Sequence, residues 1–452
     1  MRFIDLNPLG GIGANSYYVE IGNLRIVVDA GLNPKEMGLK AIPDFSKIPA
    51  LDLDLILITH CHLDHLASLP VLARSFPSTP IWMSQPSRIL YERILHNSIN
   101  VMKKQREEHG IVEYPLYTHS ELDRLRDRTY GVPFQQSRVL DNGSDTLEIT
   151  FYPSGHIPGA AGIELIHKRR RIFFSGDVLF SDLNILTGAS FPKHPLDTLI
   201  LETTRGLTER PPERSRETEV QRLIQTMQRT LAHGGSVLIP AFAMGRMQEM
   251  LSILFQAKKA RALPEVPIYA SGLGMDLVDY FDEISRKYGL TRFRKGILKE
   301  LGVKPLPPDL KPGFVPLKPC IYVVSSGMMV ENTPAYLVAS TLFERAENAI
   351  CFVGYCDPDT PGGKLQTCER GTPFRFDKLH YEGLLRAQIE RFDLSSHAER
   401  EELLNFTLET SPRALVLTHG DPEARAWFFD QVIDLNPNTQ ILDPEPGREY
   451  IL

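Results

Sequence analysis

Within six positions, His60-Cys61-His62-Leu63-Asp64-His65 places three imidazoles and a carboxylate, a donor set suited to zinc or a similar borderline divalent ion. The preceding Leu53-Asp54-Leu55-Ile56-Leu57-Ile58-Thr59 ends in apolar and β-branched positions, which predicts a buried strand. The donors therefore leave a strand end, where the chain turns and side chains can converge. Side chains alternate along extended backbone, so His60 and His62 share one side while Cys61 faces the other, which favours packing over ligation for Cys61. Asp64 and His65, past the bend, can address a second ion.

A histidine-rich polar loop is the plain alternative. Against it stand five further strand ends of the same construction. Leu147 to Tyr152 runs into Ser154-Gly155-His156, and Arg171-Ile172-Phe173-Phe174 into Ser175-Gly176-Asp177. Leu199-Ile200-Leu201 ends on Glu202, Arg391-Phe392-Asp393-Leu394 leads to Ser395-Ser396-His397, and Ala414-Leu415-Val416-Leu417 ends at Thr418-His419-Gly420. Each sets a His or an acid at the carboxyl end of an apolar run, often beside a Gly that lets the backbone turn tightly. Layered sheet proteins tend to build their sites there.

The elements that must carry these ends read as one domain interrupted by another. Tyr17 to Ile21, a Gly22-Asn23 turn and Leu24 to Val28 form a hairpin ending at Asp29, and strands with short helices continue to Glu202. Then Arg210-Pro211-Pro212-Glu213-Arg214 breaks the pattern, and Glu217 to His233 reads as an amphipathic helix. Beyond it, Ser236 to Pro240, Val266 to Ala270, Ile321 to Ser325 and Ala349 to Gly354 alternate with helices, implying a parallel sheet, with a Pro-rich connector over 304–319. The strand-end histidines return after about Leu385, so the expected division is 1–204, an inserted 205–385, and 386–452 rejoining the first part. The chain shows no internal repeat and no low-complexity tail.

His-x-His-x-Asp-His, followed by a strand-end His, an Asp and a late His, resembles the metallo-β-lactamase superfamily. Glu202, Pro240-Ala241-Phe242-Ala243-Met244-Gly245-Arg246, Ser326-Gly327-Met328-Met329 and the pair His397 and His419 are similar to its β-CASP branch, which contains nucleases of RNA and DNA. The resemblance covers essentially the whole chain. It implies an α/β protein: a four-layer αββα metallo-β-lactamase domain with an inserted Rossmann-like, parallel-sheet cap. It further implies two Zn2+ ions, one on His60, His62 and His156, the other on Asp64, His65 and His419, with Asp177 bridging them. Two ions roughly 3.5–4 Å apart share a hydroxide and polarise a phosphoryl oxygen. Asp64, His397 and Glu202 are the implied catalytic residues. His397 serves as general acid, and Glu202 keeps it oriented and protonated. Asp29 matches an acid that orients a ligand imidazole, with an Asp opening a turn before Ala30-Gly31 as the rival reading. Ser326, Gly327 and Met328 could offer backbone N–H groups to a phosphate or form an ordinary strand-to-helix turn, and Arg246 is a further candidate for substrate contact. The late His419 is similar to the RNA-processing members rather than the DNA-repair members, so the implied partner is single-stranded RNA, with endo or 5′-exo action and a homodimer left open.

Two departures bear on substrate. Thr204-Arg205-Gly206-Leu207 follows the motif acid where many members have Thr-Tyr-Gly, and Arg210 falls where a His is usual, which puts substrate positioning rather than metal chemistry in doubt. Leu66-Ala67-Ser68 stands where a Gly is common.

Composition bounds the remaining classes. A chain of 452 residues is too long for one ordinary core, and its 42% hydrophobic and 23% charged content is ordinary for a globular protein. No run reaches the roughly 20 apolar residues of a membrane span, and Met1-Arg2-Phe3-Ile4-Asp5 lacks a signal-peptide pattern. Five cysteines without a C-x-x-C pair point to reduced thiols in a cytoplasm. A net charge of −6 is not that of a generic polyanion binder. Lys168-Arg169-Arg170-Arg171 reads equally as a hairpin tip, and Arg286, Lys287, Arg292, Arg294, Lys295 and Lys299 equally as a solvated face. The alternatives to a ribonuclease are a small-molecule ester or thioester hydrolase, a DNA nuclease, and an inactive RNA-binding subunit.

Overall fold

Strands buried on both faces cannot alternate apolar with polar residues, and the central strands here do not. In Arg170–Phe174, Ile172 and Phe174 enter one apolar cluster while Phe173 enters another on the opposite face. Thr198–Glu202 and Ala414–Thr418 repeat the division, with Ile200 and Val416 on one side and Leu199, Leu201, Leu415 and Leu417 on the other. The computed structural model describes residues 1–211, 213–316 and 318–452. Pro212, in the break at 210–214, and Leu317, in the connector 304–319, lie outside the described residues.

The chain separates into two compact units, one of 1–182, 187–209 and 397–452, the other of 183–186 and 210–396. Among the described residues the first holds two seven-stranded sheets. One runs Glu449–Ile451, Arg2–Asp5, Tyr17–Ile21, Leu24–Val28, Leu55–Ile58, Ile81–Ser84, Thr129–Val132. The predicted hairpin pairs Ile21 with Leu24, and from Leu24–Val28 onward neighbours are parallel. The other runs Gln440–Leu442, Ala414–Thr418, Thr198–Glu202, Arg170–Phe174, Ala161–His167, Thr146–Pro153, Arg138–Asp141. Its first four strands are mutually parallel, so their carboxyl ends lie at one edge. Val19, Ile26 and Leu57 of the first sheet share a core with Phe151, Ile163 and Phe174 of the second. Leu403 and Phe406 of helix Arg400–Thr410, and Phe428 and Val432 of helix Pro422–Leu435, pack on the second sheet's other face.

The reading of short helices before Glu202 is corrected by a 25-residue helix, Gln85–His109. Ser84 accepts a hydrogen bond from Ser87 N at its start, Pro86 sits in its first turn, and Gly110 closes it at φ 69°. It packs on Ile81–Ser84 and Thr129–Val132. The predicted strand Arg391–Leu394 is also corrected. The strand is Gln388–Arg391, and Phe392 to Leu394 lie beyond it.

In the second unit all pairs of the six-stranded sheet are parallel, in the order Val303–Lys304, Ile268–Ser271, Ile321–Val324, Val237–Pro240, Ala349–Phe352, Gln388–Arg391. The four strands expected from sequence lie at its centre, and helix Arg216–Ala232 falls where Glu217 to His233 was read. The segment Leu183–Leu186 belongs to this unit because a fully buried carboxylate holds it. Glu249 accepts from Asn184 N at 3.1 Å, Asn184 Nδ2 at 3.0 Å, Ile185 N at 3.1 Å and Arg216 Nη2 at 3.2 Å.

Candidate metal centre

Where Leu55–Ile58 ends, the chain passes through Thr59 to His62 into the short helix Leu63–Leu66. Asp29, at φ 62° after Leu24–Val28, ties this turn together. Its Oδ1 accepts from Thr59 N at 2.7 Å, and its Oδ2 accepts from Thr59 Oγ1 at 2.8 Å and from His65 Nδ1 at 2.7 Å. A carboxylate on Nδ1 keeps a proton there, so Nε2 is the nitrogen that His65 can offer to a cation. Thr59 gives its only hydroxyl proton to Asp29, so toward His60 Nδ1, 3.1 Å away, it can only accept. His60 Nε2 is thereby left bare as well.

The bare nitrogens converge. His60, His62, His156 and Asp177 each offer a ligand atom within 4.8 Å of the others, and so do Asp64, His65 and His419. Asp177 turns one oxygen to each group. Its Oδ2 lies 3.5 Å from both His60 Nε2 and His156 Nε2, and its Oδ1 lies 3.3 Å from His65 Nε2 and 3.4 Å from His419 Nδ1. His156 Nε2 stands 3.0 Å from His62 Nδ1, His65 Nε2 3.2 Å from His419 Nε2, and His419 Nε2 3.4 Å from Asp64 Oδ2.

The residues fit divalent cations on two grounds. His60 Nε2 and Asp177 Oδ1 are buried with no hydrogen bond, a state rarely tolerated without another kind of partner. Ring nitrogens also face one another across about 3 Å, a spacing at which a shared cation can be coordinated. The electrostatics agree. Burial pushes His60 well below its ordinary pKa, favouring the neutral imidazole that binds metal. Burial alone would raise Asp64 and Asp177, but the imidazoles around them win, holding Asp64 at about 2 and Asp177 well below the carboxylate range. Burial would lower His65, yet Asp177, Asp29 and Asp64 together drive it well above its usual value. That is the acidic field a divalent ion satisfies.

A third cluster adjoins Asp177. His397 Nδ1 sits 3.0 Å from Glu202 Oε2 and 3.2 Å from Oε1, and its Nε2 is 4.0 Å from Asp177 Oδ2. Glu202 Oε1 also accepts from Val178 N at 2.6 Å, and Val178 O accepts from Ala398 N at 2.6 Å, so two segments distant in sequence are stitched beside the acid. Burial would lower the His397 pKa. The Glu202 carboxylate outweighs it and the net shift is upward, toward a proton-carrying imidazole at neutral pH.

Ser326, Gly327, Met328 and Arg246 belong to the second unit. Ser326 O and Oγ accept from Met329 N and Val330 N, closing a turn, and a Cβ on Gly327 would stand 2.9 Å from the Phe242 ring. Arg246 is buried at the first position of helix Arg246–Lys259, after Gly245 at φ 88°. Arg210 pairs with the Asp393 carboxylate at 3.0 Å, and Arg205 is buried. Cys61 is buried with Sγ 3.4 Å from Ser87 O, and burial pushes its thiol up to about 12, as a packing residue should be. Lys168 and Arg169 do form a hairpin tip, between Ala161–His167 and Arg170–Phe174. Arg286, Lys287 and Lys295 are taken up by Asp282, Glu283 and Asp279. Two residues the sequence did not single out, Thr59 and Thr204, place hydroxyls against the donor histidines. Their one signal was a Thr beside a strand-end His or acid.

Residues 9–225 match the family model of the metallo-beta-lactamase superfamily, 247–365 that of the Beta-Casp domain, and 384–434 that of the Zn-dependent metallo-hydrolase RNA specificity domain. Endoribonuclease YSH1 of Eremothecium gossypii is 28% identical over 436 residues, covering 93% of this chain and 55% of its own. Transcription termination factor FttA of Pyrococcus horikoshii is 29% identical over 460 residues, covering 93% and 67%. RNase aCSPSF2 of Saccharolobus solfataricus is 26% identical over 465 residues, covering 98% and 84%. The chain thus spans little more than half the length of the first of these relatives. A crystal structure of a protein of unknown function from Enterococcus faecalis shares the fold, with a TM-score of 0.59 at 14% identity over 100% of this chain and 99% of that one.

Proposed function

This chain belongs to the metallo-beta-lactamase superfamily and carries its Beta-Casp and RNA-specificity domains, and we propose that it is a two-zinc ribonuclease that hydrolyses phosphodiester bonds of single-stranded RNA. The observation that carries this reading is Asp177, whose two oxygens face two separate groups of imidazole and carboxylate donors while a His–Glu pair stands beside it. Names of the relatives, two of them an endoribonuclease and an RNase, support the substrate. We read 1–204 with 386–452 as a four-layer αββα domain and 205–385 as a Rossmann-like cap. The free thiols support a reducing, cytoplasmic setting. Among the described residues no helix is long and apolar enough to cross a membrane.

In this reading His60, His62 and His156 would hold one ion and Asp64, His65 and His419 the other, with Asp177 a donor available to both. Two such ions supply an activated water and a clamp on the scissile phosphate. Asp29 fixes the His65 ring by accepting its Nδ1 proton. His397 gives the proton on Nε2 to the departing 3′ oxygen as the P–O bond breaks, and Glu202 holds that imidazole through Nδ1. Ser326, Gly327, Met328 and Arg246 are assigned to positioning of the RNA chain.

Because water rather than the ribose 2′-hydroxyl is the nucleophile, products carry a 5′-phosphate and a 3′-hydroxyl. Matched single-stranded RNA and DNA of one sequence, end-labelled and analysed for product ends, test this. RNA is expected to be cut faster, through contacts that read the 2′-hydroxyl or strand shape. Faster DNA cleavage or 2′,3′-cyclic phosphate products would overturn the proposal.

A further inference from the structure

Thr204 stands at the junction of the two parts of the centre. Its Oγ1 hydrogen-bonds the Glu202 carboxylate, lies 2.9 Å from His419 Nδ1, and donates toward His419 O at 3.1 Å. We infer that Thr204 is a positioning residue: it selects the His419 nitrogen offered to a cation, using the same hydroxyl that braces the partner of the general acid. This rests on the metal centre proposed above.

A hydroxyl has one proton and two lone pairs. Two of the three neighbours, an ionised carboxylate and a carbonyl, can only accept. The Glu202 carboxylate accepts that proton, so none is left for the imidazole, and His419 Nδ1 carries its own hydrogen toward Oγ1. His419 Nε2 then keeps its lone pair, and it is the nitrogen that faces His65 Nε2 at 3.2 Å and Asp64 Oδ2 at 3.4 Å. Thr204 thus does for His419 what Asp29 does for His65 and Thr59 for His60.

Thr203 and Thr204 together hold the backbone that presents His419. That residue sits at φ 48°, in the left-handed region that non-glycine residues avoid. Thr203 N donates to His419 O at 3.3 Å, and Thr203 Oγ1 donates to Thr418 O at 2.9 Å. A Cβ on Gly420 would lie 2.2 Å from Thr203 Oγ1, so the turn after His419 is pressed against 203–204. Val at 204 would keep the shape and remove the hydroxyl, while Ser would keep the hydroxyl.

The test is chelator competition for zinc alone, without RNA, on wild type and on Thr204→Val, Thr204→Ala and Thr204→Ser, with cobalt(II) absorption spectra of each. Val and Ala are expected to weaken one of two ions by about 10–100-fold, the range for loss of a group that orients a metal ligand. They should also alter one of two cobalt signatures, and Ser should restore both. Val and Ala variants that hold both ions with wild-type affinity would overturn the inference, as would a Ser variant as impaired as Val. A purely packing role would spare neither ion in particular and would not be rescued by Ser. Wild-type protein that binds no zinc would instead sink the metal centre itself, and this inference with it.

Discussion

Replacing Asp177 with Ala is expected to abolish RNA cleavage and to strip the purified protein of bound metal. Wild-type protein should carry close to two zinc-like ions per chain, and the variant fewer than one. Asp177 is the only one of the proposed ligands with an oxygen within 3.5 Å of donors in both groups. Burial would raise its pKa, but the surrounding imidazoles outweigh that and hold its carboxyl well below the usual range. Removing it would take away the one proposed ligand that faces both donor groups, together with its negative charge. Metal stabilisation of a phosphoryl transition state is worth several kcal/mol, and at about 1.4 kcal/mol per tenfold the loss is roughly 10³–10⁵-fold in rate. Elemental analysis and single-turnover cleavage read both effects. A metal-free wild type that remains active in chelator would end the site assignment.

His397→Ala is expected to separate chemistry from metal binding. Both ions should remain, while the rate falls by about 10²–10⁴-fold, the usual contribution of a general acid. The His397 Nδ1 is committed to Glu202 at 3.0 Å, and Nε2 stands 4.0 Å from Asp177, beside the centre rather than within either donor group. The sign of the pH effect follows. Burial pulls the His397 pKa down, Glu202 outweighs it, and the net shift is upward, so the protonated acid persists to higher pH than a free histidine would. In Glu202→Gln the burial remains and the charge is gone. The alkaline limb of the rate profile should therefore move to lower pH, and an unmoved limb would count against Glu202 as the partner. Loss of one ion in His397→Ala would make His397 a ligand instead.

Much of the centre was legible because metal chemistry restricts residue types. His60, His62, Asp64 and His65 announce themselves within six positions, and His156, Asp177 and His419 could be found because each follows an apolar strand end. Thr204 was not legible. Threonine is common, and its partner His419 lies 215 residues away, so only the fold pairs them. The parallel sheet was readable from four buried runs, but its edge strand Val303–Lys304 was not and Gln388–Arg391 was placed three residues late, since a two-residue strand and a half-exposed one carry little hydrophobic signal. The helix Gln85–His109 was underread for a similar reason. Its buried positions, Leu90, Ile94, Leu95, Ile99 and Met102, are spaced helically within a largely polar sequence.

The four residues 183–186 bear on how such a protein can be taken apart. A gene fragment that begins at Arg210 and stops at Ser396 has the look of a transferable cassette, yet the buried carboxylate of Glu249 draws three of its four hydrogen bonds from Asn184 and Ile185. Cut out in one piece, it would keep Arg216 alone and leave a charged oxygen short of donors, at a cost of about 1–3 kcal/mol or more. The insertion is therefore not a clean graft. Chimeras that exchange 210–396 between relatives need to carry 183–186 with it, as two fragments moved together despite the 23 residues lying between them in the sequence.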